Sequence, residues 1–154
     1  MINIQIESDP SLSGLDDSKS ETILIHTLQS EEITSCDISI VFGNKKLLLE
    51  LKNRFFNINR TTDVIAFRLN EYQEKNIEGE IYICLPVAEE NAEYFKEPYE
   101  KEVARLIIHG GLHLIGYEDG TEDERKNMRE LEDKYLKELN YLILKIKLVK
   151  SSLN

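Results

Sequence analysis

The stretch KEVARLIIHGGLHLIGYED, residues 101–119, decides the fold. Val103, Leu106, Ile107 and Leu114 recur at helical spacing and share one face, which predicts a buried helix. Gly116 follows the last of them, at the point where a left-handed backbone ends a helix and only Gly adopts it cheaply. The same stretch holds two of the three histidines of the chain, His109 and His113, four positions apart. Residues at i and i+4 lie one turn apart on nearly the same face, so both rings can reach one small ion. After Gly116 the chain can double back and bring Glu118 or Asp119 toward the open side of the pair. Two histidines, an acidic residue and a water would make a catalytic rather than a structural metal site. The plain alternative is a core helix with two ordinary histidines. His26 has no partner near it in sequence and reads as structural.

Working outward, INIQI at the start of the chain alternates like a strand, and Pro10 and Gly14 interrupt it before a helix or turn over SETILIHTLQSEE (20–32). SCDISIVFG (35–43) has the period-two, β-branched character of a strand, and NKKLLLELKNRFF (44–56) has helical spacing. After a polar turn, TDVIAFRL (62–69) and GEIYICLP (79–86) read as neighbouring strands. Helical character resumes from Ala88 and breaks at Pro98. Past residue 119 a polar turn leads into EDERKNMRELEDKYLKEL (122–139), an amphipathic helix on Met128, Leu131, Tyr135 and Leu139. Lys145 and Lys147 alternate with Ile146 and Leu148, so residues 142–154 read as a C-terminal extension, a short strand or an ordered tail. This order predicts an α+β (α/β-like) fold. One domain over residues 1–154 carries a mixed sheet of about four or five strands packed with helices, with the metal site on a buried HxxxH helix.

At 154 residues the chain suits one domain with one core. Cys36 and Cys84 form no CxxC pair, which argues against a zinc ribbon, a redox motif or a disulfide framework. No window reaches the roughly 18 apolar residues of a membrane span and the start is not that of a signal peptide, so a cytoplasmic protein with no membrane partner is expected. The net charge of -10 lacks the basic footprint of a protein that binds nucleic acid mainly through phosphates. Any such contact must concentrate in one groove, for which Lys45, Lys46, Lys52, Arg54 and Arg60 are candidates. Lys145, Lys147 and Lys150 are the alternative.

HxxxHxxGxxD is also the spacing of an extended zinc-peptidase signature. The Glu that acts as general base in HExxH is Gly110 here, so peptide or amide hydrolysis is the weakest reading. Two consecutive glycines inside a helix cost about 1 kcal/mol each relative to alanine, and a close approach by substrate or a neighbouring strand would require them.

With its flanks, HGGLHLIGYEDGTEDERKNMRELE (109–132) resembles the signature of the YbeY family of metal-dependent endoribonucleases, HGxLHLxGYDH followed by ExxxMxxxE. His109, Gly110, Leu112, His113, Leu114, Gly116 and Tyr117 coincide with it, and Glu124, Met128 and Glu132 fall at its offsets. TDVIAF (62–67) resembles the family's TDVLSF, and GEIYIC (79–84) its GDIxIC strand. The resemblance covers most of residues 36–141. It implies a hydrolase, an endonuclease involved in 16S rRNA processing at the 3′ end and in ribosome quality control, with ribosomal RNA and the small ribosomal subunit as partners. It also implies a zinc ion, one per chain, held by His109 and His113.

The third histidine of the pattern falls on Asp119, whose harder oxygen donor also suits manganese or magnesium. Glu118 is the rival ligand. Ungapped alignment does not place the family's phosphate-contacting arginine, because the position at equal offset from Thr62 is Phe56, so Arg54 and Arg60 are both candidates for that catalytic role. Arg54, Arg60 and Lys52 are likewise the candidates for substrate binding. Asp63 reads as a turn cap, Glu132 as part of a solvated face, and Glu124 as suited to the positive end of the helix dipole. A ribosome-associated assembly factor with a structural metal and little nuclease activity is the alternative from another class.

Overall fold

The computed structural model describes the backbone of residues 1–152 and the side chains of residues 1–140. Its elements are β1 (Ile2–Ser8), α1 (Asp17–Ser30), β2 (Cys36–Gly43), α2 (Lys45–Phe56), β3 (Val64–Arg68), β4 (Ile77–Cys84), α3 (Leu85–Phe95), α4 (Tyr99–Ile115) and α5 (Glu122–Ser152). The four strands form one mixed sheet in the order β1-β2-β4-β3, with β1-β2 and β2-β4 parallel and β3-β4 antiparallel. This is the α+β fold that the pattern predicts. Residues 142–152 depart from it: they continue α5 as helix rather than forming a strand. Alternation of Lys with Ile over so short a run does not outweigh a helix already nucleated upstream.

Period-two alternation sorts the sheet into two faces. Ile38, Ile40 and Phe42 of β2 and Ile77, Ile81 and Ile83 of β4 point to the main core, where Leu24 and Leu28 of α1 and Ile107, Ile108 and Leu112 of α4 meet them. The opposite face is polar on β1 and β2, and on β3 and β4 it packs under α2 through Leu48, Ile65 and Cys84. Cys36 and Cys84 are both free and buried.

Helix α4 touches α1, α3, α5, β3 and β4, so it is the central helix. Its close seat explains its glycines. A Cβ at Gly110 would lie 2.5 Å from Ile81 Cγ2, and one at Gly111 would lie 3.0 Å from Leu24 Cδ1. A bare backbone is what lets this helix lie on β4. Gly116 ends the helix at φ 125°, and the amides of Gly116 and Tyr117 return to the carbonyls of Leu112 and His113. The chain reverses there and runs back over the histidines. A reciprocal cap then starts α5: Glu124 N–H donates to Thr121 Oγ1 (3.1 Å), and Thr121 N–H donates to Glu124 Oε1 (2.9 Å). Glu124 therefore serves as a cap. Among the described residues no helix is long and apolar enough to cross a membrane.

Candidate metal centre

The last two turns of α4 and the loop after Gly116 bring three donor atoms together. His109 Nε2 and His113 Nε2 are 3.0 Å apart, and Asp119 Oδ2 is 3.3 Å from each. Tetrahedral ligands at about 2.0–2.1 Å from a zinc ion stand about 3.3–3.4 Å from one another. The three atoms therefore span one face of such a site, and nitrogen, nitrogen and oxygen form a donor set that suits a divalent ion. Among the described residues this is the group that could hold one, and Glu118 does not belong to it although it lines the same cleft. Asp119 is 44% exposed on its side chain, so the fourth side opens to solvent rather than to another protein ligand.

Each ring is oriented through its other nitrogen. His113 Nδ1 lies 2.9 Å from the Tyr117 carbonyl, and His109 Nδ1 lies 2.8 Å from Glu132 Oε2. A carbonyl and a carboxylate only accept, so both Nδ1 atoms carry the proton and both Nε2 lone pairs face the shared point. Glu132 is not on a solvated face: its side chain is 7% exposed, and Arg105 Nη1 donates to it at 3.1 Å. Arg105 Nη2 also donates to Asp133 at 2.8 Å. Burial opposes a charge on His109 most strongly, but the bond to Glu132 and the negative charges of Glu132, Asp119 and Asp63 outweigh it and raise its pKa above the ordinary histidine value. Such a field around a histidine also favours a cation between the rings. His26, by contrast, pairs with Glu138 at 3.0 Å, away from the site.

Two clefts meet at the histidines, and Asp63, Val64, His109 and Asp119 line both. The first, about 830 Å³, runs between α3, α4 and α5 and mixes Lys101, Arg105, Arg125, Lys126 and Arg129 with Glu97, Glu102, Glu122 and Glu132. The second, about 710 Å³, runs along β3 to the end of α2 and is lined by Lys52, Phe56 and Tyr72. Of the five cations grouped by sequence, Lys52 enters a cleft. Lys45 pairs with Glu90, Arg54 lies over the Phe55 ring at 5.4 Å, and Arg54 and Arg60 line neither cleft. Phe56 lines the second cleft. Asp63 accepts from Asn91 Nδ2 at 3.1 Å, a contact across 28 positions, and so does not simply cap a local turn.

Sequence reasoning missed Arg105, Arg125 and Arg129. Their signal was spacing: Arg105 precedes His109 by one helical turn, and Arg125 and Arg129 are one turn apart on the helix that carries Glu132. Burial also raises the pKa of Glu102, partly offset by Arg105, with Asp63 and Glu132 adding to the rise.

The family model described as endoribonuclease YbeY matches residues 5–140. A Chlorobium limicola protein named endoribonuclease YbeY is 40% identical over 116 residues, covering 75% of this chain and 79% of that one. A Salinibacter ruber protein of the same name is 31% identical over 140 residues, covering 86% and 89%. The solution structure of a Thermotoga maritima protein, 31% identical, is similar with a TM-score of 0.62 over 88% of both chains.

Proposed function

The chain belongs to the YbeY family, and from that premise we propose that it is a metal-dependent endoribonuclease acting on single-stranded RNA, in the cytoplasm, during 16S rRNA 3′-end maturation and ribosome quality control. The observation that carries this reading is the open three-donor group where two clefts meet. A structural zinc is enclosed by four protein ligands, whereas this group leaves a side free for substrate.

His109 and His113 would hold the ion through Nε2, and Asp119 through a carboxylate oxygen. Zinc fits two imidazoles and a carboxylate, and the hard oxygen of Asp119 also admits manganese. When bound, such an ion supplies Lewis acidity at a phosphate oxygen and acidifies water near neutral pH. Glu132 keeps the His109 proton on Nδ1, and the Tyr117 carbonyl does the same for His113. Lys52 neutralises phosphate on the β3 side, whereas Arg54 and Arg60, the other candidates for that role, lie outside both clefts. Arg125 and Arg129 neutralise it on the α5 side. These cations concentrate contact with a polyanion in a protein whose net charge is -10. A side chain at position 110 would be directed into Ile81 of the sheet, so the general-base position of a peptidase is filled by packing.

The test is cleavage of a single-stranded RNA that spans the 3′ end of 16S rRNA, by protein loaded with zinc or manganese. Cleavage abolished by chelation and by His113→Ala is expected. A 2′,3′-cyclic phosphate would identify the RNA 2′-hydroxyl as nucleophile, and a 5′-phosphate would identify water. Intact RNA after incubation with folded, loaded protein would overturn the proposal.

A further inference from the structure

An exposed apolar patch next to a polar binding groove marks a contact surface. Tyr72 is 58% exposed and Phe56 is 45% exposed, and both line the cleft that contains His109 and His113. Neither ring hangs free. The Arg68 guanidinium lies 5.0 Å from the Tyr72 centroid and is itself anchored: Nη1 donates to the Leu114 carbonyl at 2.8 Å, Nε to Asn70 Oδ1 at 2.6 Å, and Nη2 to the Glu71 carbonyl at 2.9 Å. Tyr72 also sits close to Gly116, where the backbone turns from α4 toward Asp119. Phe56 stacks on Phe67 of β3, with centroids 5.9 Å apart and planes 20° apart. Lys52 Nζ lies 4.7 Å from the Phe56 centroid. Each aromatic is thus backed by an ordered partner, presents open surface to the cleft and has a cation against it.

We propose that Tyr72 and Phe56 form a stacking subsite for an unpaired nucleobase next to the phosphate at the metal centre. This rests on the nuclease reading and assigns to these two side chains the contact with a base of its single-stranded substrate. A flat π-face on a ring already fixed in place costs little ordering on binding, and base–aromatic stacking tolerates any base. A base that takes up the Phe56 surface displaces the Lys52 ammonium toward the flanking phosphate, so stacking and charge neutralisation occur together. A base within a duplex is paired and stacked on both faces and cannot enter, so the subsite excludes double-stranded RNA.

The experiment compares kcat/KM for a single-stranded RNA with that for the same RNA carrying an abasic nucleotide at each position in turn. Wild type should lose roughly tenfold at the position next to the cleaved bond, within the range for one stacked base. Tyr72→Ala should lower kcat/KM on the intact RNA by a similar factor and cleave intact and abasic RNA equally well. Tyr72→Trp should keep the discrimination, and so should Tyr94→Ala, which removes an exposed ring on α3 outside both clefts. Discrimination that survives Tyr72→Ala, or that wild type lacks on an RNA it cleaves, overturns the subsite alone. Failure of loaded wild type to cleave any RNA overturns the nuclease reading and the subsite with it.

Discussion

Replacing Glu132 by Gln keeps the shape of the side chain but changes its hydrogen-bond inventory, and the structure says what that costs. The carboxylate accepts twice, at Oε2 from His109 Nδ1 (2.8 Å) and at Oε1 from Arg105 Nη1 (3.1 Å). Gln has one acceptor oxygen and one NH2 donor. If its oxygen meets His109, its NH2 faces the guanidinium and the group is pushed off. If its NH2 meets His109, the imidazole must move its proton to Nε2, the nitrogen that faces His113 and Asp119. Either outcome disturbs the ligand, and the loss of such a supporting bond lowers metal affinity about 10- to 100-fold. That corresponds to about 1.4 to 2.7 kcal/mol. Competition against a chromophoric zinc chelator measures it, with circular dichroism to confirm the fold. Asp133→Asn is the control, because Asp133 touches Arg105 from an exposed position and leaves His109 alone. Affinity of Glu132→Gln within about twofold of wild type would refute the reasoning and leave Glu132 as a partner of Arg105 only.

Two further substitutions test the packing and the electrostatics. Gly110→Ala adds a Cβ 2.5 Å from Ile81 Cγ2. Overpacking of about 1–3 kcal/mol outweighs the roughly 1 kcal/mol gain in helix propensity, so the urea midpoint should fall, and the same substitution should lower it by less in an Ile81→Ala background. An unchanged midpoint would mean that α4 does not seat this closely. Glu102 is 8% exposed, and its folded-state pKa lies above the ordinary glutamate value of 4.5 because burial disfavours the carboxylate. Its ionisation therefore costs stability. That cost is absent below the unfolded pKa, grows between the unfolded and folded values, and is constant above both. Glu102→Gln should melt with wild type in acid and at higher temperature than wild type near neutrality, and a constant difference across pH would contradict this.

Local spacing made much of the architecture legible. The helical period through Val103, Leu106, Ile107 and Leu114 marked the central helix, and all four residues are buried. Gly116 marked its end, and the i, i+4 histidines with the Asp beyond the turn marked the three-donor group. Strand order was not legible, because β2 pairs with β4 across a helix and an intervening strand, and nothing in either segment alone states that pairing. Glu132 reads as one charge among many on a surface helix. It is buried because α5 lays that face on α4, a tertiary fact that outweighs the polarity of the residue. Phe56 ends α2 and Tyr72 lies in the loop between β3 and β4, so the two aromatics come to one cleft only in three dimensions. The alternating Lys and Ile residues after 144 misled for the opposite reason: a short period-two pattern was read locally when an adjoining helix determined the backbone.

Metal content of the purified chain, beside Asp119→Ala and Glu118→Ala and after reconstitution with zinc or manganese, distinguishes a three-donor metal centre from a core helix that carries two histidines. One ion per chain in wild type and Glu118→Ala, lost in a folded Asp119→Ala, is the predicted result, since Asp119 is the carboxylate 3.3 Å from both Nε2 atoms. Wild type that binds no ion would return His109 and His113 to ordinary residues of a core helix, and an ion kept by Asp119→Ala and lost with Glu118→Ala would contradict the three-donor group by making Glu118 the carboxylate ligand.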